Sequence, residues 1–128
     1  MITKINHFSL FVDNIDKALN HYVNDWGFVK NDDIVIDNFR WTTMHLPKQP
    51  ELEIALIEAH TPELQALIGK QAGNIPMWAI NSTDCYATYQ ELSSKGIIFI
   101  ETPTERPWGI QAICKDIYGN IICFVQNF

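Results

Sequence analysis

Ile5-Asn6-His7-Phe8-Ser9-Leu10-Phe11-Val12-Asp13-Asn14 begins the regular structure of the chain. Its side chains alternate between two faces as in a strand, with His7, Ser9 and Phe11 on one and Phe8, Leu10 and Val12 on the other. Asp13 or Asn14 can cap a following helix, because either side-chain oxygen accepts a hydrogen bond from a free amide of the first turn. Ile15, Ala18, Leu19, Tyr22 and Val23 then recur at helical spacing, and Gly27 stands where a left-handed residue ends a helix. Phe28 to Ile36, Phe39 to Leu46 and Leu52 to Ile57 read as three strands, broken at Asp37-Asn38 and Pro47-Lys48-Gln49-Pro50. The unit is a strand, a helix and three strands.

The same order recurs after a linker, Ala59 to Asn74, in which Thr61-Pro62-Glu63 starts a short helix and Gly69 and Gly73 bracket its end. Pro76 to Asn81 reads as a strand, Thr83 as a cap, and Tyr86, Ala87, Tyr89, Gln90 and Leu92 as a helix that stops at Gly96. Strands follow near Ile97 to Ile100, Trp108 to Lys115 and Asn120 to Gln126. Asp16 and Asp84 lie 68 residues apart, Gly27 and Gly96 69, and Trp41 and Trp108 67. These landmarks agree within two residues, so residues 1–128 are expected to be one domain of two modules, 1–58 and 75–128, joined by a linker with a short helix at 59–74. Each module alone, at about sixty residues, buries too little surface to be comfortably stable.

Composition narrows the function. The chain has 128 residues, 47% hydrophobic and 19% charged, which argues for a packed core and against disorder. Nine basic against fifteen acidic residues give a net charge of −6, which repels a phosphate backbone and an anionic lipid surface, so neither nucleic acid nor membrane is expected as a partner. No apolar run approaches the roughly 20 residues of a spanning helix, and the start lacks a signal-peptide core, so a cytoplasmic location is expected. Cys85, Cys114 and Cys123 are odd in number and show no Cys-x-x-Cys spacing, so reduced thiols are expected rather than a disulfide framework or a zinc site. A two-residue loop at Tyr118-Gly119 would bring Cys114 and Cys123 face to face, and a longer turn would break that register.

The residues resemble the vicinal oxygen chelate superfamily, which includes glyoxalase I, extradiol dioxygenases, and fosfomycin and bleomycin resistance proteins. The resemblance spans nearly the full length. It is carried by His7-Phe8-Ser9-Leu10-Phe11-Val12-Asp13, by the helix ending at Trp26-Gly27-Phe28, and by Pro107-Trp108-Gly109 with Asp116-Ile117-Tyr118-Gly119-Asn120. The family's hairpin is close to Asp-Pro-Asp-Gly-Asn, and here Asp116, Gly119 and Asn120 are kept while Ile117 and Tyr118 depart from it. The resemblance implies an α+β fold in which two βαβββ modules form an open, cup-shaped mixed sheet with helices outside and a ligand inside. It also implies a homodimer.

In metal-dependent members of that family the ligands come from the first and last strands of each module. By register these positions are His7, Glu53, Ile75 and Cys123, so half of the His and carboxylate set is missing. A catalytic divalent centre generally uses three protein ligands. His7 and Glu53 alone fall short, and the reading stays open between a metal pair and a hydrogen-bonded pair that orients a ligand or merely satisfies itself. Strand alternation puts Ser9 and Phe11 beside His7, and Ala55 and Ile57 beside Glu53, against Ile75, Met77, Ala79, Ile121, Cys123 and Val125 in the second module. One wall is then polar and the other apolar, which suits an organic ligand with one polar end. Trp41 and Trp108, at matching places in the repeat, are candidate aromatic walls, or plain core or interface residues. His45 is read as an exposed or core residue, and His21 and His60 as surface residues.

The candidate ligand-binding residues are therefore His7, Ser9, Trp41, Glu53, Met77, Trp108 and Cys123. The expected function is that of a small-molecule-binding protein of the glyoxalase/bleomycin-resistance type without a complete metal site and with no cofactor. The alternative is a glyoxalase-like lyase, isomerase or thiol transferase in which His7 and Glu53 hold a divalent metal or act as an acid and base pair. A partner-binding dimer with no small-molecule ligand is a third reading.

Overall fold

Asn14 and Asp84 do the same work at two places in the chain. In the computed structural model, which describes all 128 residues, the Asn14 side chain accepts from the Lys17 amide at 2.9 Å and the Asp84 side chain from the Ala87 amide at 3.0 Å. Each starts a ten-residue helix, α1 (Ile15–Asn24) and α3 (Cys85–Ser94). The strands are β1 (His7–Val12), β2 (Val29–Ile36), β3 (Phe39–His45), β4 (Glu53–Glu58), β5 (Trp78–Asn81), β6 (Ile98–Arg106), β7 (Gly109–Lys115) and β8 (Ile121–Asn127). A single turn of helix, α2 (Pro62–Gln65), follows β4. The two helices and eight strands predicted for the modules are all present, but β1 begins at His7, β5 at Trp78, and β6 runs on to Arg106. The second helix is capped by Asp84 rather than Thr83.

The chain divides into two compact units, 1–68 and 69–128. The boundary falls inside the expected linker, because α2 packs on β1 and belongs to the first unit. Its cap is Thr61, whose Oγ1 accepts from the Leu64 amide at 3.2 Å, and the turn ends at Ala66, before Gly69. Gly69 lies against the Tyr118 backbone within the second unit, where an added Cβ would collide with the carbonyl oxygen.

Each unit is an open, four-stranded mixed sheet, ordered β1-β4-β3-β2 in the first and β5-β8-β7-β6 in the second. In each unit the last strand is parallel to the first and antiparallel to the third: His7 pairs with Glu53 and Thr43 with Ala55, just as Ala79 pairs with Cys123 and Ile113 with Cys123. In the first unit α1 covers the face carrying Leu10, Val12, Met44, Ile54 and Leu56, all buried with Ile15, Ala18, Leu19 and Tyr22. In the second, α3 covers Ala112, Cys114, Ile122 and Phe124, and sets Tyr89 edge-on to Phe99 with ring centroids 4.9 Å apart.

A second bond ties each helix to its sheet. Glu58 Oε1 accepts from the Ile15 amide at 3.0 Å, and Gln126 Oε1 accepts from the Cys85 amide at 2.9 Å. These free amides of the first turn thus find acceptors on the last strand of their own unit. The pairings also correct the internal register. Ile15 and Cys85 are 70 positions apart, as are Thr43 and Ile113, whereas Glu58 and Gln126 are 68 apart. The difference arises between the third and fourth strands, where residues 46–52 in the first unit answer to the shorter 116–120 in the second. The counterparts of His7 and Glu53 are therefore Met77 and Ile121, not Ile75 and Cys123, and the Met77 amide indeed donates to Ile121 O at 2.7 Å. Asp16 and Asp84 misled the count because the true cap of α1 is Asn14.

The short loop is built as its sequence suggests. Asp116 Oδ1 accepts from the Tyr118 and Asn120 amides at 2.9 and 2.8 Å, Oδ2 accepts from Asn120 Nδ2 at 2.8 Å, and Gly119 takes a φ of +92°. Ile117 and Tyr118 leave this network intact because only backbone is required of Tyr118. The five-residue turn opposes Cys114 to Ile122, so Cys114 and Cys123 lie on opposite faces of the sheet and all three cysteines are free.

Candidate functional site

In the first unit the face turned away from α1 carries His7, Ser9 and Phe11 from β1, Glu53, Ala55 and Ile57 from β4, and Trp41, Thr43 and His45 from β3. His7, Glu53 and Trp41 form one cluster. The His7 ring meets Trp41 edge-on, centroids 4.9 Å apart and planes at 80°, and His7 Nδ1 lies 3.1 Å from Asn6 Oδ1. Ser9 is exposed next along the same strand face.

Two further members come from a strand irregularity. The pairing of β2 with β3 shifts between Lys30 and Asp33, and such a bulge re-aims the side chains it contains. Asn31 Nδ2 donates to Glu53 Oε1, while Asp32 Oδ2 accepts from Trp41 Nε1 at 3.3 Å and the Asp32 amide donates to Thr43 Oγ1 at 3.1 Å. Asn31 and Asp32 were not foreseen in the sequence. The signal was the run Asn31-Asp32-Asp33 inside a strand, since those residues are depleted from regular ladders. Asp33, the third of the run, points the other way, to Arg40 on the α1 side.

The donor set does not fit a divalent metal centre within either unit. His7 and Glu53 are two donors where three are needed, one oxygen of Glu53 already accepts from an amide, and no three His, Cys, Asp or Glu side chains converge to hold an ion. What the cluster can do is present an aromatic edge, an imidazole and a fixed carboxylate to one end of an organic molecule.

In the second unit the face turned away from α3 is less apolar than the sequence suggests. Ala79, Cys123, Ile113 and Glu101 stand in one row across β5, β8, β7 and β6. Glu101 Oε1 accepts from Arg106 Nη2 and Glu101 Oε2 accepts from Gln111 Nε2 at 2.8 Å. Glu101 and Arg106 were missed because β6 extends beyond its apolar start, Ile97 to Ile100, through a strand interrupted by two register shifts, and Gln111, though in an expected strand, because its partner Glu101 was. Cys123 is buried, and burial together with the Glu101 charge raises its thiol pKa. Met77 is half-buried just before β5.

The two tryptophans are not equivalent. Trp41 pairs with Ile34 as Gln111 pairs with Thr104, so Gln111 is its counterpart, and Trp108 sits exposed in the turn between β6 and β7, where the first unit has Asp37-Asn38. Among the histidines, His45 Nδ1 donates to Leu46 O at 2.8 Å and His60 is exposed, but His21 is buried at 4% exposure rather than at the surface. Its Nε2 accepts from Trp26 Nε1 at 3.0 Å and its Nδ1 donates to Asp25 Oδ2 at 3.1 Å, which fixes the tautomer and ties the end of α1 to the loop before Phe28.

The chain as a whole is similar to known proteins. The chain is 31% identical over 132 residues to an uncharacterised protein of Shewanella frigidimarina, covering 98% of this chain and 95% of that one. Among solved structures, UcmS2 superposes with a TM-score of 0.86 at 27% identity, covering 99% of this chain and all of that chain. TnmS3, an antibiotic binding protein from Streptomyces sp. CB03234, superposes with a TM-score of 0.79 at 26% identity, with 99% and 98% covered. No helix is long and apolar enough to cross a membrane. The family model of the Glyoxalase/Bleomycin resistance protein/Dioxygenase superfamily matches residues 4–124, across both βαβββ units and the Asp116 turn, and the chain belongs to that superfamily.

Proposed function

We propose that this protein binds a small organic molecule without transforming it, in the manner of the superfamily's resistance proteins, and that it does so without a metal centre of its own. The observation that carries the reading is the state of the one polar pair it shares with the metal-dependent plan: Glu53 is engaged by Asn31 and His7 by Trp41. That arrangement suits ligand orientation better than ion binding, which would need a third donor. Further support is the likeness to TnmS3, which is itself an antibiotic binding protein. Ser9 and Trp41 extend the binding face of the first unit, and Met77 and Cys123 are the candidate apolar contacts of the second unit taken by itself. Trp108, exposed in a turn of the second unit, is a candidate on that unit's own surface.

The working form in this reading is a homodimer. Ile34, Ile36 and Phe39, each about half exposed, stand on one face of β2 and β3 beside their turn, and an apolar patch of this kind is costly to leave in water. Three free, buried thiols fit a reducing compartment such as the cytoplasm. Elemental analysis of the purified protein beside His7→Ala tests the central part. Metal below one-tenth of an equivalent in both is expected, and a stoichiometric metal lost in the variant would overturn the reading.

A further inference from the structure

We infer that the molecule bound on the first unit meets the face turned away from α1 with a protonated amine, held by the carboxylates of Glu53 and Asp32 beside the Trp41 ring. This rests on the reading that the chain binds a small organic ligand, and adds the chemistry of one end of that ligand. The strand irregularity between Lys30 and Asp33 parts two neighbouring carboxylates. Asp33 turns to the α1 side, where Arg40 and Lys30 pair with it. Asp32 stays on the other face, where its Oδ2 accepts from the Trp41 indole, while its neighbour Asn31 reaches Glu53. The two carboxylates thus border one patch of that face. Neither has a cation within ion-pair distance: Lys17 pairs with Asp13, Lys30 with Asp33, and Arg40 with Asp33 and Asp16.

The hydrogen-bonding groups of this patch are one-sided. Trp41 Nε1 donates to Asp32 Oδ2 at 3.3 Å, and one hydrogen of the Asn31 amide goes to Glu53 Oε1. His7 Nδ1 lies 3.1 Å from Asn6 Oδ1, and a carbonyl oxygen only accepts, so the ring hydrogen sits on Nδ1 and leaves Nε2 an acceptor. The bond from His45 Nδ1 to Leu46 O leaves the Nε2 of that ring an acceptor as well. Glu53 Oε2, Asp32 Oδ1 and the two ring nitrogens therefore accept, against one remaining Asn31 hydrogen and the hydroxyls of Ser9 and Thr43, which can play either part. A carbonyl or carboxylate arriving here meets groups like itself, whereas an N–H or O–H finds acceptors. Two uncompensated carboxylates then favour the charged donor, an ammonium, over a neutral one. The longer-range field acts in the same direction. Residues 1–68 hold ten Asp and Glu against five Lys and Arg, so −5 of the chain's −6 lies in this unit and draws cations to it. The Trp41 ring, set edge-on with His7 and fixed through its N–H by Asp32, adds a π system that attracts a cation.

The test uses four matched probes, naphthalen-2-ylmethylamine, naphthalen-2-ylmethanol, 2-ethylnaphthalene and 2-naphthoate. Each is titrated by amide and indole NMR into the full chain and into Glu53→Gln, Asp32→Asn, the double variant and Asp16→Asn. An exposed carboxylate adds about threefold to the binding of a cation, so in the wild type the amine should bind about tenfold tighter than the ethyl compound, with the alcohol between them and naphthoate weakest. Glu53→Gln and Asp32→Asn keep an oxygen to accept from Asn31 and Trp41, and each should cut the advantage of the amine about threefold. The double variant should bring amine and alcohol to parity while the ethyl compound binds as before. Asp16→Asn removes an equal charge from α1, on the other side of the sheet, and should leave the advantage intact. If the amine binds no tighter than the ethyl compound in the wild type, keeps its advantage in the double variant, or loses as much in Asp16→Asn as in Glu53→Gln, the inference is overturned while the binding reading stands. If none of the four binds at its solubility limit, the inference falls together with the reading beneath it.

Discussion

Glu58 carries a load that no motif marks, and replacing it gives a sharp test of how the first unit is assembled. Its Oε1 accepts from the Ile15 amide at 3.0 Å across a sequence gap of 43 residues, in a half-buried setting. Glu58→Ala removes an acceptor from a helix N-terminus, where losing a cap costs about 0.5–2 kcal/mol and a bond to a charged group about 1.5–3 kcal/mol. Water can replace part of the bond at this partly exposed site, and the nearby His60, exposed and 3.5 Å from Glu58 Oε2, adds only a few tenths. The expected loss is about 1.5 kcal/mol, which moves a urea midpoint down by roughly 0.5–1 M for an ordinary m-value. Glu58→Gln should cost only about 0.5 kcal/mol, because the second unit already uses Gln126 for the same bond to Cys85. Urea titrations followed by circular dichroism, with Gln126→Ala as the counterpart, measure all three. If Glu58→Gln proves as damaging as Glu58→Ala, the carboxylate acts through its charge on the helix dipole and the shared-acceptor account is wrong.

Three further outcomes follow from single residues. Two hydrogen bonds from Arg40 hold the Asp33 carboxyl well below its ordinary range, at about 2, so the stabilisation is present above the unfolded pKa near 3.8 and is lost as pH falls through 2. Discounted for solvent, it is worth about 1 kcal/mol: Asp33→Asn should be less stable than wild type by that amount at pH 6 and equal to it at pH 2, and a gap that ignores pH would refute it. Burial first, then the Asp116 charge, pushes the Cys114 thiol up to about 12, and Cys85 and Cys123 are also buried and raised, so a thiol reagent at pH 8 should find no reactive thiol in the native protein and three after denaturation. Gly109→Ala should cost about 3 kcal/mol or more, since φ is +153° and a Cβ would strike Gln126 O, while Gly27→Ala, with φ +79° and open space, should cost only about 1 kcal/mol; equal losses would show that the clash is relieved.

How far the sequence reaches depends on what fixes each feature. Alternation in Ile5 to Val12 and the helical spacing from Ile15 to Tyr22 are local, and the structure follows them closely. The doubled architecture was legible for the same reason, because each module repeats the same local patterns. Register was harder, since it is set by loop length and by remote bonds such as Glu58 to Ile15, which no short motif records. The Asn14 cap moved the counterpart of His7 to Met77, and a two-residue difference in one loop moved that of Glu53 to Ile121. Three of the five members of the first unit's cluster, His7, Glu53 and Trp41, were visible. Asn31 and Asp32 arrive through a bulge, and Glu101, Arg106 and Gln111 through an irregular strand pair, so side chains that meet there are not spaced by two along the chain. His21 was misjudged because an Asp and a Trp within five residues satisfy both ring nitrogens, which lets a polar ring be buried at no cost in lost hydrogen bonds.

Thermal-shift screening in the presence of a chelator, wild type beside Trp41→Ala, bears most directly on metal-free binding at the His7–Glu53–Trp41 face. The panel is a set of aromatic natural-product antibiotics at concentrations up to solubility. A compound at a hundred times its Kd adds about 2.7 kcal/mol, a rise of several degrees for a chain of this size. At least one compound is predicted to raise the melting temperature of the wild type under chelator, with the rise lost in Trp41→Ala. No rise under chelator, with shifts appearing only on adding zinc, nickel or iron, would contradict the account.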